Sequence, residues 1–312
     1  MNKNYIKLLL FGAISTLSLQ VSAQHDSKPV KKVSYIDKSG MDISKKPGDD
    51  FYQYASGTWI KNNPVPAKET RWGSFNLLRD FNINAVKTIL AEASSNKSAA
   101  PGSVEKRVGD FYAAGMDSVT IEKLGFSPIK NDLEKVAQLS NLKRLINHAA
   151  EMRTSGVGSP FFGFFVGQDR KYVKNIVPQL SQGGTTLPDR DYYLKSDPRS
   201  LQIQESYKKY VSKLFTLTGS TQAEAEKNAS IIFNIEKILA AAQMSRVEMR
   251  DPYKTYNKFV IADLSKTTSN LNWATLIPLM KVNGQDTVLV NSPKFFTELN
   301  ALLSSAPLDD LK

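Results

Sequence analysis

Two histidines and no cysteine make up the soft-ligand and thiol chemistry of this 312-residue chain. His25 lies near the amino terminus, and His148 sits in Asn147-His148-Ala149-Ala150-Glu151 on a helix-forming stretch. A zinc-peptidase helix needs two histidines at i and i+4 with a glutamate between them, so that both imidazoles face one metal and the carboxylate serves as base. His148 with Glu151 at i+3 is only a pair, and it reads as a surface pair. No Ser-His-Asp triad can be drawn from so few histidines, and no cysteine nucleophile exists. Gly156-Val157-Gly158 precedes an apolar strand instead of following one, the wrong order for a dinucleotide fingerprint. The expectation is a chain with no catalytic residues and no metal ligands of its own.

Three motifs carry more information. Asp50-Phe51-Tyr52-Gln53-Tyr54-Ala55-Ser56-Gly57-Thr58-Trp59, then Pro64-Val65-Pro66, then Arg71-Trp72-Gly73-Ser74-Phe75, crowd aromatics, prolines and an arginine into a non-periodic run. Such a run reads as an irregular, packed wedge that opens into a helix, with Tyr52, Tyr54 and Trp59 largely buried. Leu187-Pro188-Asp189-Arg190-Asp191-Tyr192-Tyr193-Leu194 follows Gly183-Gly184. Pro188 fixes a turn, two aspartates flank Arg190, and Tyr192 is expected to be buried, so this is a charge-paired turn that caps a helix or clamps two segments. Arg250-Asp251-Pro252-Tyr253 with Tyr256-Asn257 has the same character.

The elements that must position these motifs are mainly helical. A helical pattern runs from Phe75 through Leu78, Phe81, Val86, Ile89 and Leu90, and a second carries Val104, Val108, Phe111 and Tyr112 on its buried face after Ser103 as a cap. A third helix is expected over 132–153, with Leu133, Val136, Leu142, Leu145 and Ile146. The period then changes. Residues 161–166 and 174–180 read as a β-hairpin or two edge strands, with Pro178 placing the second at an edge. Helices resume over 200–217, closed by Gly219, and over 222–244, with Ile231, Ile235, Ile238, Leu239 and Ala242 in register. Beyond Pro252 come shorter helices, a Trp273 segment and a strand at 287–290.

Composition bounds the class. The length suffices for two domains and a sizeable core. Lys3 and Lys7, the apolar run 8–14 and Val21-Ser22-Ala23 read as a secretory signal peptide over 1–23, followed by a polar, flexible leader over 24–47. Export without any cysteine implies a fold held by its core alone and suits a bacterial periplasm or secretion, with no stable membrane anchor after cleavage. The net charge is +11. Its lysines and arginines are scattered and interrupted by acids, so the excess is a solvated basic surface and no nucleic-acid partner is expected.

In order and spacing the motifs resemble the neprilysin-type zinc metallopeptidases. The matching elements are Asp50-Phe51-Tyr52-x-Tyr54-Ala55-x-Gly57-x-Trp59, Pro64-x-Pro66, Arg71-x-Gly73-x-Phe75, Tyr112-x-x-x-Met116-Asp117, Leu187-Pro188-x-Arg190-Asp191-Tyr192-Tyr193, and Arg250-Asp251-Pro252 with Tyr256-Asn257. Pro307-Leu308-x-x-Leu311-Lys312 is similar to the family's approach to its next helix, and there the chain stops. The resemblance implies a mainly α fold: a multi-helix lobe with a small β-hairpin element, over 48–312, the N-terminal part of a two-lobed zincin peptidase. It also implies an exported zinc endopeptidase of oligopeptides whose lobes enclose a chamber. Zinc would be held in the complete enzyme by a His-Glu-x-x-His helix and a later Glu, in the C-terminal catalytic domain that this chain lacks. On that reading the chain alone binds no zinc, cleaves nothing and forms part of the substrate chamber. Two residues carry over as substrate-binding. Arg71 would contact a bound peptide's free carboxylate, a match for a guanidinium fork, and Phe75 would line the pocket beside the scissile bond. Trp72 stands where the family carries a smaller aromatic. Alternatively, Arg71 pairs with a local acid such as Glu69 or Asp80. The rival readings of the whole chain are a free-standing exported helical module that binds peptides or glycans, and a structural remnant without a ligand.

Overall fold

Residues 37–67 and 69–312 are described by the computed structural model, and the chain divides after Met116 into two units. The expected signal peptide, and the leader as far as residue 36, lie outside the described residues.

In the first unit the aromatic run is a helix, α1 (Phe51–Asn62), and not an irregular wedge. Asp50 makes the difference: its carboxylate accepts the Gln53 N–H at 2.9 Å, capping the helix, and no proline follows until Pro64. The helix turns Phe51 and Tyr52 to the outside. Tyr52 is 68% exposed, against the expectation that it is buried, while Tyr54 and Trp59 are half-buried. Structure also begins upstream of residue 48. A 3-10 turn, Lys38–Gly40, leads into a strip that runs along α1, where Asp42 N–H donates to the Tyr54 carbonyl at 2.9 Å and the Thr58 hydroxyl to the Met41 carbonyl at 2.8 Å. α2 (Ser74–Ser95) and α3 (Val104–Met116) form a helical hairpin. Gly109 lets them meet, because a Cβ there would collide with the Ala93 carbonyl. The expected periodicity produced these helices but not the expected burial: Leu78, Phe81, Val86 and Ile89 on α2, and Val104 and Phe111 on α3, are exposed.

The second unit opens with α4 (Ser118–Leu124), α5 (Lys130–Ala137) and α6 (Leu142–Met152). The single helix expected over 132–153 is therefore two. Asn141 breaks it by accepting the Arg144 N–H at 2.9 Å as a new cap. Only α6 buries its apolar face (Leu145, Ile146, Ala149, Ala150), whereas Leu133 on α5 is exposed. The hairpin β1 (Phe162–Gln168) and β2 (Ile176–Gln182) follows as expected. Next come α7 (Asp191–Leu194), α8 (Pro198–Leu217) and α9 (Gln222–Ala242). Gly219, at φ +105°, ends α8 in a conformation that other residues avoid, and a Thr221–Glu224 capping box starts α9. Ile238 faces out at 50% exposure, against the expected register. β3 (Asn257–Val260), α10 (Ile261–Thr267), α11 (Trp273–Leu279), β4 (Thr287–Val290), α12 (Pro293–Ser305) and α13 (Leu308–Leu311) complete the chain.

The four strands form one sheet in the order β1-β2-β4-β3, antiparallel except for β2 with β4. β2 is thus interior, not at the edge that Pro178 suggested. Its register with β4 covers only Gln179 and Leu180, so the missing N–H of Pro178 falls just outside that pairing. The main core packs α6, α11 and α12 with the sheet around Phe162, Trp273 and Phe296, whose rings meet at 5.1–6.1 Å between centroids. A second core joins α7, α8 and α9 through Tyr193, Tyr207, Val211, Ala229 and Phe233. Among the described residues no helix is long and apolar enough to cross a membrane.

Candidate functional site

Arg71 and Phe75 bracket the start of α2. Gly73 is the residue before the helix, extended at φ −170°, and its carbonyl accepts the N–H groups of Asn76 at 2.9 Å and Leu77 at 3.3 Å. Arg71 stands in the exposed approach to this turn, and Phe75, in the first turn, is 85% exposed. The acids that were candidates to neutralise Arg71 are engaged elsewhere: Arg79 takes Glu69 at 2.8 Å and Asp80 at 3.0 Å. Among the described residues Arg71 therefore has no ion-pair partner. Its fork of N–H donors is open to a carboxylate or phosphate.

The Leu187–Leu194 motif is scaffold. Asp189 accepts the Asp191 N–H at 2.9 Å and pairs with Arg246 at 2.5 Å; Arg246 also donates to the Pro188 carbonyl at 3.0 Å. Arg190 donates to the Gln243 carbonyl beyond the end of α9. Tyr193, not Tyr192, is the fully buried member of the pair, with Tyr192 half-buried. The Tyr193 hydroxyl accepts the Leu187 N–H and donates to Glu236 on α9, both at 2.7 Å, and the Thr186 hydroxyl donates to the other oxygen of Glu236 at 2.7 Å. Burial foremost, then the Glu236 charge, push the Tyr193 phenol far above its ordinary pKa. The motif clamps the strand-to-helix turn onto α9, as its charge pattern implied.

The second motif is clamped by residues that sequence reasoning passed over. Fully buried Asp169, in the β1–β2 turn, accepts the N–H groups of Lys171 at 2.9 Å and Tyr172 at 3.1 Å, the Tyr256 hydroxyl at 2.9 Å and the Lys258 ammonium at 3.1 Å. Burial alone would raise its pKa. The hydrogen bonds from Lys171, Tyr172, Lys258 and Tyr256 outweigh that and hold it down at about 2. Arg170 donates to the Thr255 carbonyl at 2.6 Å and hydroxyl at 3.2 Å. The signal was the density of charge in Asp169-Arg170-Lys171, which a turn between strands does not need. Glu236 gave no such signal, since Glu236-Lys237 within α9 reads as a solvated face.

His148 is half-buried with its Nε2 enclosed and without a hydrogen-bond partner, and Glu151 is exposed, so the expected surface pair does not form. Among the described residues no three His, Cys, Asp or Glu side chains converge as a metal would require.

The family model described as Peptidase family M13 matches residues 47–312. Mouse (Mus musculus) endothelin-converting enzyme 1 is 29% identical over 321 residues, covering 96% of this chain and 41% of the relative. Neprilysin-3 of Drosophila melanogaster is 28% identical over 279 residues, covering 84% of this chain and 35% of the relative. A Mycobacterium tuberculosis zinc metalloprotease solved in complex with an inhibitor superposes with a TM-score of 0.77 at 26% identity, over 88% of this chain and 42% of that one. The chain spans well under half the length of these relatives. It belongs to peptidase family M13, the neprilysin-type zinc metallopeptidases, and corresponds to their N-terminal region.

Proposed function

We propose that this chain is the N-terminal part of an exported zinc metalloendopeptidase that hydrolyses oligopeptides, and that it supplies part of the wall that holds the peptide. The observation that carries this reading is Arg71: an exposed side chain, its neighbouring acids already paired with Arg79, shortly ahead in the chain of the exposed Phe75. Arg71 binds the terminal carboxylate of the peptide through paired N–H donors, and Phe75 packs against the side chain beside the scissile bond. The zinc-dependent chemistry belongs to a catalytic domain outside this chain, consistent with its two histidines and the lack of a His-Glu-x-x-His sequence. Residues 1–23 direct export to the periplasm or beyond the cell, 24–47 form a leader, and 48–312 form the peptidase N-terminal domain. The test is metal analysis and peptide hydrolysis with the washed, untagged chain, beside a polypeptide in which it is joined to its catalytic domain. The joined form carries zinc and cleaves; the chain alone does neither. Stoichiometric zinc and chelator-sensitive cleavage from the chain alone would overturn the assignment.

A further inference from the structure

The side chain with least obvious purpose in the second unit is Glu236. It is 8% exposed, yet no Lys, Arg or His among the described residues pairs with it. A buried carboxylate without a counter-ion is costly, and two neutral hydroxyls offset only part of that cost. Both oxygens accept a hydrogen bond, one from Thr186 and one from Tyr193. The hydrogen of Tyr193 is committed in that direction because its oxygen already receives the Leu187 N–H. Each carboxylate oxygen still has acceptor capacity left over.

That capacity borders a cleft between α8 and α9 of about 390 Å³, which Glu236 lines together with Tyr207, Tyr210, Leu214, Phe215 and Ile232. The volume suits a small molecule. The lining combines one negative charge with three aromatic side chains and aliphatic walls, and aromatic faces attract cations. Burial foremost, then the close approach of Glu236, raise the Tyr207 phenol against a lowering contact with Thr186, so it stays neutral beside the carboxylate. No Lys or Arg lines this cleft; Lys227 and Lys312 line a second cavity that Glu236 also borders, without an ion pair to it.

From this charge complementarity we propose that the α8–α9 cleft is a binding site for a primary ammonium carried on an apolar body, with Glu236 as its anchor. The ammonium donates to the free lone pairs of Glu236 and lies against the tyrosine faces, while the hydrocarbon fills the space beside Leu214, Phe215 and Ile232. The site lies within the second unit and does not depend on Arg71 or on peptide hydrolysis.

The probe is n-hexylammonium, with n-hexanol as its neutral counterpart, titrated into the full chain by calorimetry and ligand-observed NMR. Saturable binding of the amine, about tenfold or more tighter than the alcohol, is expected, and Glu236→Gln removes that advantage. Leu214→Trp fills the cleft from its mouth, where Leu214 is 45% exposed, without touching the carboxylate, and abolishes binding. It also decides the matter if the Gln variant fails to fold. Absence of saturable binding, equal affinity for amine and alcohol, or binding that survives Leu214→Trp would overturn the assignment.

Discussion

Replacing Tyr193 by Phe removes one oxygen and leaves the ring in place against Tyr207 and Phe233, at centroid distances of 6.4 and 5.7 Å. Two hydrogen bonds vanish with it. The bond to Glu236 is buried and ends on a carboxylate, a class that contributes about 1.5–3 kcal/mol. The bond from the Leu187 N–H is partly reached by water and contributes about 0.5–1.5 kcal/mol. Together they predict a loss of about 2–4.5 kcal/mol, read as a lower urea midpoint at unchanged slope. Tyr192→Phe is the internal control. Its side chain is half-buried and makes no hydrogen bond among the described residues, so its effect stays within about 0.5 kcal/mol. Equal effects from the two adjacent tyrosines, or a Tyr193→Phe loss under about 0.5 kcal/mol, would refute the clamp. Because Tyr193 and Glu236 share the lost bond, Tyr193→Phe combined with Glu236→Gln costs less than the sum of the two single changes.

Asp169 predicts a pH signature. Its folded pKa, about 2, lies below the ordinary 3.8, so the unfolded chain binds the proton more readily and the stability it contributes is complete above about pH 4. That contribution drains away as pH falls through about 2. Urea midpoints from pH 2 to pH 6 should show the gap between the parent and Asp169→Asn closing toward the acid end; a gap independent of pH would contradict the assignment. Trp273, fully buried with its indole N–H bonded to the Thr268 hydroxyl at 2.9 Å, predicts a loss of about 3–5 kcal/mol on change to Ala, again by urea denaturation. Trp59→Ala costs less, because that ring is only half-buried over Gly40; the reverse order would contradict the placement of the core.

The sequence spoke clearly where local chemistry and tertiary role coincide. Asp189, Arg190 and Pro188 signalled a clamp because charge pairs and a proline turn are visible without knowledge of the partner. The Phe161–Val166 and 174–180 segments signalled a hairpin through their short aromatic and β-branched runs. Boundaries were lost where one polar side chain decides them: Asp50 converts an apparent wedge into α1, and Asn141 splits one helical pattern into α5 and α6. Burial was lost where it depends on what packs against a face. Phe81 and Ile89 have the spacing of a core stripe and are exposed, and Tyr52 follows its helix outward. β3 was missed because Asn257-Lys258-Phe259-Val260 is held by pairing with β4 and by Lys258 on Asp169, contacts that are distant in sequence. Arg71 was visible as a residue, but only the capture of Glu69 and Asp80 by Arg79 shows that its local pairing is not made.

Recognition of the peptide's end by Arg71, as proposed, is open to one direct measurement. The direct measurement is an Arg71→Met variant of the complete enzyme, assayed on a peptide with a free C-terminus and on its amidated twin. Loss of a charge-assisted bond of about 1.5–3 kcal/mol raises KM for the acid about ten- to a hundredfold and leaves the amide unchanged. Equal losses on both peptides, or none on either, would contradict the claim and make Arg71 a scaffold residue.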